Sequence, residues 1–151
     1  MKNLPIDEIF ELLLKEVARN RIIIDKDIKD KIFKLIKPLI ERSNNIIDLF
    51  KLSKFIYSND EKVVGEENNE IITSSSSYKN IIIKGLIECK WEKENLDKFL
   101  KDFVQKKEIS FGVIGKPLRL ILTKRLTSPS ITFVMEIMGK KEVIKRLRDM
   151  W

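Results

Sequence analysis

The chain has 151 residues, 43% of them hydrophobic and 35% charged, with a net charge of +7; that is enough apolar material for one domain or two small ones, with no run near the ~18 apolar residues that would cross a bilayer. It contains no histidine and one cysteine, Cys89, which excludes an internal disulfide, leaves no thiolate and imidazole set for zinc, and removes the commonest general base of hydrolytic triads. We therefore expect a soluble protein that contacts no membrane and has no catalytic residue, cofactor or metal ion of its own.

Apolar residues at Ile6, Ile9, Phe10, Leu13 and Val17 recur at helical spacing and predict a first helix. Acids at Asp7, Glu8, Glu11 and Glu16 run through the same stretch, which is wrong for a secretory or transit leader, so nothing is expected to export the chain. Asp25 reads as the N-cap of a second helix carrying Ile28, Ile32, Leu35, Ile36 and Leu39. Pro38 falls inside that pattern and predicts a break near Lys37, after which Ile40 to Leu49 resumes and a third helix reaches about Tyr57.

From Ser58 to Ser77 the character changes, first acidic and amide-rich, then a serine run, which reads as a polar connection. It divides the chain into a helical subdomain at residues 1–64 and a second at 65–151 that begins with a loop to about 78. Helical spacing returns at Ile82, Ile83, Leu86 and Ile87, and again at Leu96, Phe99, Leu100, Phe103 and Val104. Cys89, among apolar and charged neighbours on a helix, reads as a buried inert thiol. The isoleucine triplets at 22–24 and 81–83 are β-prone, yet no period-two pattern surrounds them. The fold class expected is all-α, two small helical subdomains.

The charge is unevenly placed. Residues 101–151 carry 12 Lys and Arg against 5 Asp and Glu, so they hold the whole excess. A polyanionic partner at this end is one reading, and a lysine-rich solvated surface is the other. Within this region Gly115-Lys116-Pro117-Leu118-Arg119 sets a proline between a glycine and an apolar helical pattern, predicting a helix start at about Pro117 with Arg119 in its first turn. Ser128 and Pro129 repeat the device as N-cap and first helical residue before Ile131, Val134 and Met138. Gly139 then ends that helix, and Lys140 to Met150 forms a last one packed through Val143, Ile144 and Leu147. Two helix amino termini offer unpaired N–H groups, and Arg119 a planar fork; with Lys116, Lys124 and Arg125 they would make a reader of single-stranded RNA. The same residues also serve as ordinary helix punctuation. A helical protein-interaction or scaffold domain with a basic carboxy-terminal end is the alternative.

The run from Phe111 to Thr123, followed by Ser128-Pro129-Ser130-Ile131 and then Glu136-Ile137-Met138-Gly139-Lys140, resembles the end of bacterial glutamyl-tRNA synthetases, class I enzymes with a "PLR-x-x-LTG" segment, an "SPG/S" turn and a terminal "LLG+e-x-x-x-RL" helix. Trp91 to Phe103 resembles the family's preceding helix, so close similarity covers roughly residues 80–149, with weaker similarity over 29–57. The resemblance implies a bundle that binds the anticodon arm of glutamate tRNA. It implies that Arg119 contacts one anticodon base, with Lys116 beside it, and that Ser128, Pro129 and Ile131 cradle another. Glu41-Arg42-Ser43 resembles the family's "R-x-K-T-L" segment, which would give Arg42 the third base. Lys124, Arg125, Lys140, Lys141 and Lys145 are expected on phosphates, and Lys124 stands where the family usually has glycine. The whole enzyme would be a cytoplasmic, monomeric ATP-dependent ligase. ATP and magnesium would bind its catalytic part, and this stretch, joined to that remainder, would be inactive alone. Lys51-Leu52-Ser53-Lys54 resembles the family's ATP-binding loop, but without a nucleotide-binding sheet pattern beside it we read it as a helix face.

Overall fold

The computed structural model describes residues 1–151, which form two compact units, Met1–Asp60 and Glu61–Trp151. Every regular element is helical. The isoleucines at 22–24 lie in a loop, and those at 81–83 lie in a helix, where Ile82 and Ile83 are buried.

The first unit is built from α1 (Ile6–Arg19), α2 (Lys26–Ile40) and α3 (Ile46–Tyr57). Ile9, Leu13 and Val17 on α1 pack with Ile32, Leu35, Ile36 and Leu39 on α2 and with Leu49, Phe50, Phe55 and Ile56 on α3. Each such fully buried side chain contributes about 1.5–3 kcal/mol by leaving water. Asp25 caps α2 as expected, its Oδ1 accepting from Ile28 N at 2.8 Å.

The break expected at Lys37 does not occur. Pro38 lies in the last turn of α2, and Lys34, whose carbonyl it leaves without a donor, is on the exposed face where water can serve. The interruption comes later, between Ile40 and Ile46. There Asn45 Oδ1 accepts from Asp48 N at 2.9 Å while Asp48 Oδ2 accepts from Asn44 N at 3.1 Å, a reciprocal cap that starts α3 afresh. The Lys51–Lys54 segment is internal to α3, with Ser53 buried and its hydroxyl within 3.0 Å of Tyr57 Oη.

The second unit contains α4 (Glu66–Ser74), a 3₁₀ turn (Ser76–Tyr78), α5 (Lys79–Glu88), α6 (Lys93–Lys107), α7 (Gly112–Thr123), α8 (Ile131–Met138) and α9 (Lys140–Met150). The polar loop expected from 65 to about 78 is thus a correction: most of it is helix. Its amides and hydroxyls bond to the backbone carbonyl four residues earlier, Asn68 to Val64 O at 2.8 Å, Asn69 to Gly65 O at 3.1 Å and Thr73 to Asn69 O at 2.9 Å. Such side chains read as turn formers because they can also compete with a helix. Buried Ile72 and the bond from Trp151 Nε1 to buried Ser75 Oγ, 3.0 Å, decide for the helix.

Around α4 the unit closes with α7 against α4 and α9, α5 against α9, and α6 against α8. Cys89 ends α5 only partly buried, and burial pushes its thiol pKa up, away from the reactive thiolate. Gly85, inside α5, exists for space. A methyl group there would stand 2.2 Å from the Phe99 ring of α6. Gly85→Ala should therefore lower the urea stability of this unit by about 1–3 kcal/mol, overpacking outweighing the better helix propensity of alanine.

Candidate nucleic-acid interface

The predicted residues fall into two groups. Arg42 belongs to the first unit, exposed in the turn after α2, with its guanidinium donating to Pro38 O at 3.0 Å. Lys116, Arg119, Ser128, Pro129 and Ile131 belong to the second, on α7 and at the start of α8, helices in contact with each other.

The expectation that α7 begins at Pro117 is overturned. The helix starts at Gly112, and Pro117 is buried in its interior. Ile114, Leu118 and Ile121 form one stripe of completely buried side chains at i, i+4 and i+7, and burying Ile114 draws the preceding turn into the helix. The carbonyl that Pro117 leaves unpaired is that of Val113, which is exposed. Arg119 therefore sits in the second half of α7, and no free helix amide lies beside it on this helix. Lys116, one turn earlier, is exposed.

Arg119 is half-buried, and its guanidinium makes no hydrogen bond or ion pair. Desolvation lowers its pKa from the ordinary arginine value. The carbonyl of Arg119 is fixed by Thr123 Oγ1 at 2.8 Å.

The carboxy end of α7 is closed by two buried cations. Lys124 has left-handed backbone, φ 66° and ψ 11°, and folds back so that Nζ donates to Ile121 O at 3.0 Å and lies 2.8 Å from Met150 Sδ. Arg146 of α9 donates to Leu122 O at 3.0 Å and to Glu142 Oε1 at 2.9 Å. Cations at these orphan carbonyls also complement the helix dipole. Lys124 is only 5% exposed, so its expected phosphate contact is withdrawn. Burial, with Arg146 close by, brings its pKa down to about 8. Arg125 pairs with Glu61 at 3.5 Å, and the other oxygen of that carboxylate is buried without a partner.

The start of α8 also differs from expectation. Ser128 does not cap it; its hydroxyl donates to Pro129 O at 2.8 Å, and Pro129 is buried ahead of the helix. The helix opens at Ile131, after Ser130, whose hydroxyl is 3.1 Å from that of Thr132. No side chain caps the first amides of α8, because the nearest hydroxyls are committed to each other.

Three polar links seat α8 on the α6 end of the unit. Trp91 Nε1 donates to Met135 O at 2.9 Å, Glu136 Oε2 accepts from Lys93 N at 2.5 Å, and Thr132 Oγ1 donates to Asp97 Oδ1 at 2.5 Å. Burial raises the Asp97 pKa, but the Thr132 bond and the bond and charge of Lys93 outweigh it and hold the carboxyl below its usual range. These links, and Arg146, were not assigned by sequence reasoning. A buried arginine at i+4 from a glutamate is indistinguishable in sequence from an exposed helix pair.

Lys140, Lys141 and Lys145 are exposed on α9, and Lys140 Nζ donates to Ile87 O. What the geometry offers is a half-buried, unpaired guanidinium on α7, an uncapped helix start on α8 and a row of ammonium groups on α9. These are the parts that stack on bases, donate to base-edge acceptors and neutralise phosphates.

The profile of the family described as "Anticodon binding domain" matches residues 8–151. The chain belongs to this family. This anticodon-binding domain is 29% identical over 128 residues to glutamate–tRNA ligase 1 of Bartonella henselae, covering 83% of this chain and 26% of that one. It is 32% identical over 116 residues to glutamate–tRNA ligase 2 of Anaplasma marginale, covering 75% and 25%. The crystal structure of a glutamate tRNA ligase from Elizabethkingia meningosepticum in complex with its amino acid matches the fold with a TM-score of 0.79 at 21% identity, over 98% of this chain and 29% of that one. The anticodon-binding domain thus spans about a quarter of the length of the curated relatives it matches.

Proposed function

We propose that this domain reads the anticodon arm of glutamate tRNA for an ATP-dependent glutamate–tRNA ligase, working in the cytoplasm as a monomer. The curated relatives named above are glutamate–tRNA ligases, and ATP and magnesium would be held by their remaining three quarters rather than by these residues. The observation that carries the reading is the guanidinium of Arg119, half-desolvated and without a partner. A cation held out of water without an acceptor is costly, and a base edge supplies that acceptor. Lys116 stands exposed one turn earlier on α7 and Ser128 part-exposed in the turn before α8, whereas Pro129 and Ile131 are buried and support that turn without an open face for a base. Arg42 is a separate reading position in the first unit.

Gel shifts with a glutamate tRNA transcript and with single-base anticodon variants test this. Arg119→Ala should cost about 1–3 kcal/mol of binding to the cognate transcript and shrink the gap to the variants, as when a base contact is lost. Binding indifferent to the anticodon in the unaltered chain would instead favour a protein-interaction domain.

Phosphate contacts carry a different signature. Lys141→Gln or Lys145→Gln should reduce the slope of log affinity against log salt by about one unit each, equally for cognate and altered transcripts. Lys124→Met should leave that slope unchanged, because the Lys124 ammonium is inside the unit.

A further inference from the structure

Gly115 lies inside α7 with ordinary helical backbone, so conformational freedom does not explain it, and a helix-interior glycine costs about 1 kcal/mol relative to alanine. Its surroundings do explain it. A methyl group on Gly115 would stand 2.7 Å from Cε1 of Phe111 and 3.3 Å from a guanidinium nitrogen of Arg119. The Phe111 ring and the Arg119 fork converge from opposite directions along the helix on one patch of bare backbone. Both side chains are only partly buried, so each keeps an open face.

We infer that Phe111, seated on Gly115, is a positioning residue that fixes the direction of the Arg119 fork and so takes part in anticodon selectivity. The inference rests on the function proposed above. A long arginine with no ion pair has several rotamers open to it, and each must be excluded when a base binds. The ring and the glycine surface exclude them beforehand, because the fork has one bare strip of helix to lie on and a flat wall at its end. An aromatic edge beside a guanidinium also extends the flat surface on which an unpaired base can stack. Arg119 without this seat keeps its charge but loses its aim, so its contribution turns from selective to merely electrostatic.

The test is filter binding by the full 151-residue chain to a glutamate tRNA transcript and to the same transcript with one anticodon base changed, over a range of salt. Gly115→Ala, which displaces the ring, and Phe111→Leu, which removes it, should each lower the cognate-to-altered affinity ratio by about three- to tenfold, the scale of ordering one long side chain. Neither should alter the salt slope, since the charge count is unchanged. Phe111→Tyr should retain the ratio, and adding Arg119→Ala to either variant should produce no further loss, as for residues acting as one unit. A ratio lost in Arg119→Ala but intact in both Gly115→Ala and Phe111→Leu overturns this inference alone. A ratio near one in the unaltered chain overturns the anticodon reading, and this inference with it. A ratio that survives Arg119→Ala overturns the role given to Arg119, and this inference with it, while the anticodon reading itself stands.

Discussion

Arg146→Ala should destabilise the second unit by about 3–4 kcal/mol. The side chain is 3% exposed and its head group serves two acceptors, Leu122 O at the end of α7 and Glu142 on its own helix. Truncation leaves the Leu122 carbonyl buried without a donor, at about 1–3 kcal/mol, and removes the apolar stem that packs between α7 and α9. Glu142 softens the loss, because its side chain is 37% exposed and its carboxylate can turn to water. Both tryptophans, Trp91 and Trp151, belong to this unit, so their fluorescence in urea follows it separately from the first. Arg146→Lys should recover only part of the stability, since a single ammonium on a shorter stem does not reproduce the two-armed geometry. A midpoint unchanged in Arg146→Ala would mean that the carbonyl finds water and that the arginine ties nothing.

Lys124 carries the second large effect, of opposite sign. Its pKa falls from 10.5 in an unfolded chain to about 8 in the folded unit. Below pH 8 the ammonium is charged in both states, and the folded state bears the whole penalty of burying it. Between pH 8 and about 10.5 the folded chain releases the proton while the unfolded chain keeps it, so stability rises with pH through that window. The shift corresponds to at most about 3 kcal/mol. Lys124→Met removes the charge but also the donor to Ile121 O, worth about 1 kcal/mol, so a net gain of about 1–2 kcal/mol is expected at pH 7. The pH dependence above 8 should flatten in the same variant. Urea melts of both proteins at pH 7 and pH 10 decide it, and a stability of the unaltered chain that is level or falling over this range refutes the assignment. Left-handed backbone at Lys124 is a separate cost that methionine does not relieve.

Much of the architecture was legible because local and global signals agreed. Ile9, Leu13 and Val17 repeat at helical spacing and are buried, Asp25 caps the helix it precedes, and Gly139, with φ 94°, ends the helix it follows. The misreadings have a common cause. Proline, serine and asparagine are two-way signals whose meaning depends on what lies nearby in space. Pro38 and Pro117 are tolerated inside helices because the carbonyls they orphan belong to exposed residues, Lys34 and Val113. The amides and hydroxyls of residues 68–75 bond to a helix because Ile72 and Ser75 have a place in the core. Ser128 looked like a cap because the sequence does not show that its hydroxyl turns to Pro129 O.

The candidate residues stand out in the sequence, but their geometry does not. Arg119, Lys116 and the turn before α8 stand out from the pattern Lys-Pro-Leu-Arg and Ser-Pro. The burial that separates Lys124 from the other lysines is a matter of which side of α7 it folds toward, and no spacing rule encodes that. Glycine at 115 was visible as a letter, but its reason is the ring at 111, a contact four residues back that becomes meaningful only when the helix is known to start at Gly112, directly after Phe111.

Gly139 is at once the last cap of α8 and the residue before the first turn of α9. Two torsion angles at this one joint therefore set the bearing of the α8 amides relative to the lysines of α9, with no linker to absorb an inserted or deleted residue. The spacing between the surface that would choose a nucleotide and the surface that would grip its backbone is in effect a gauge cut into the chain.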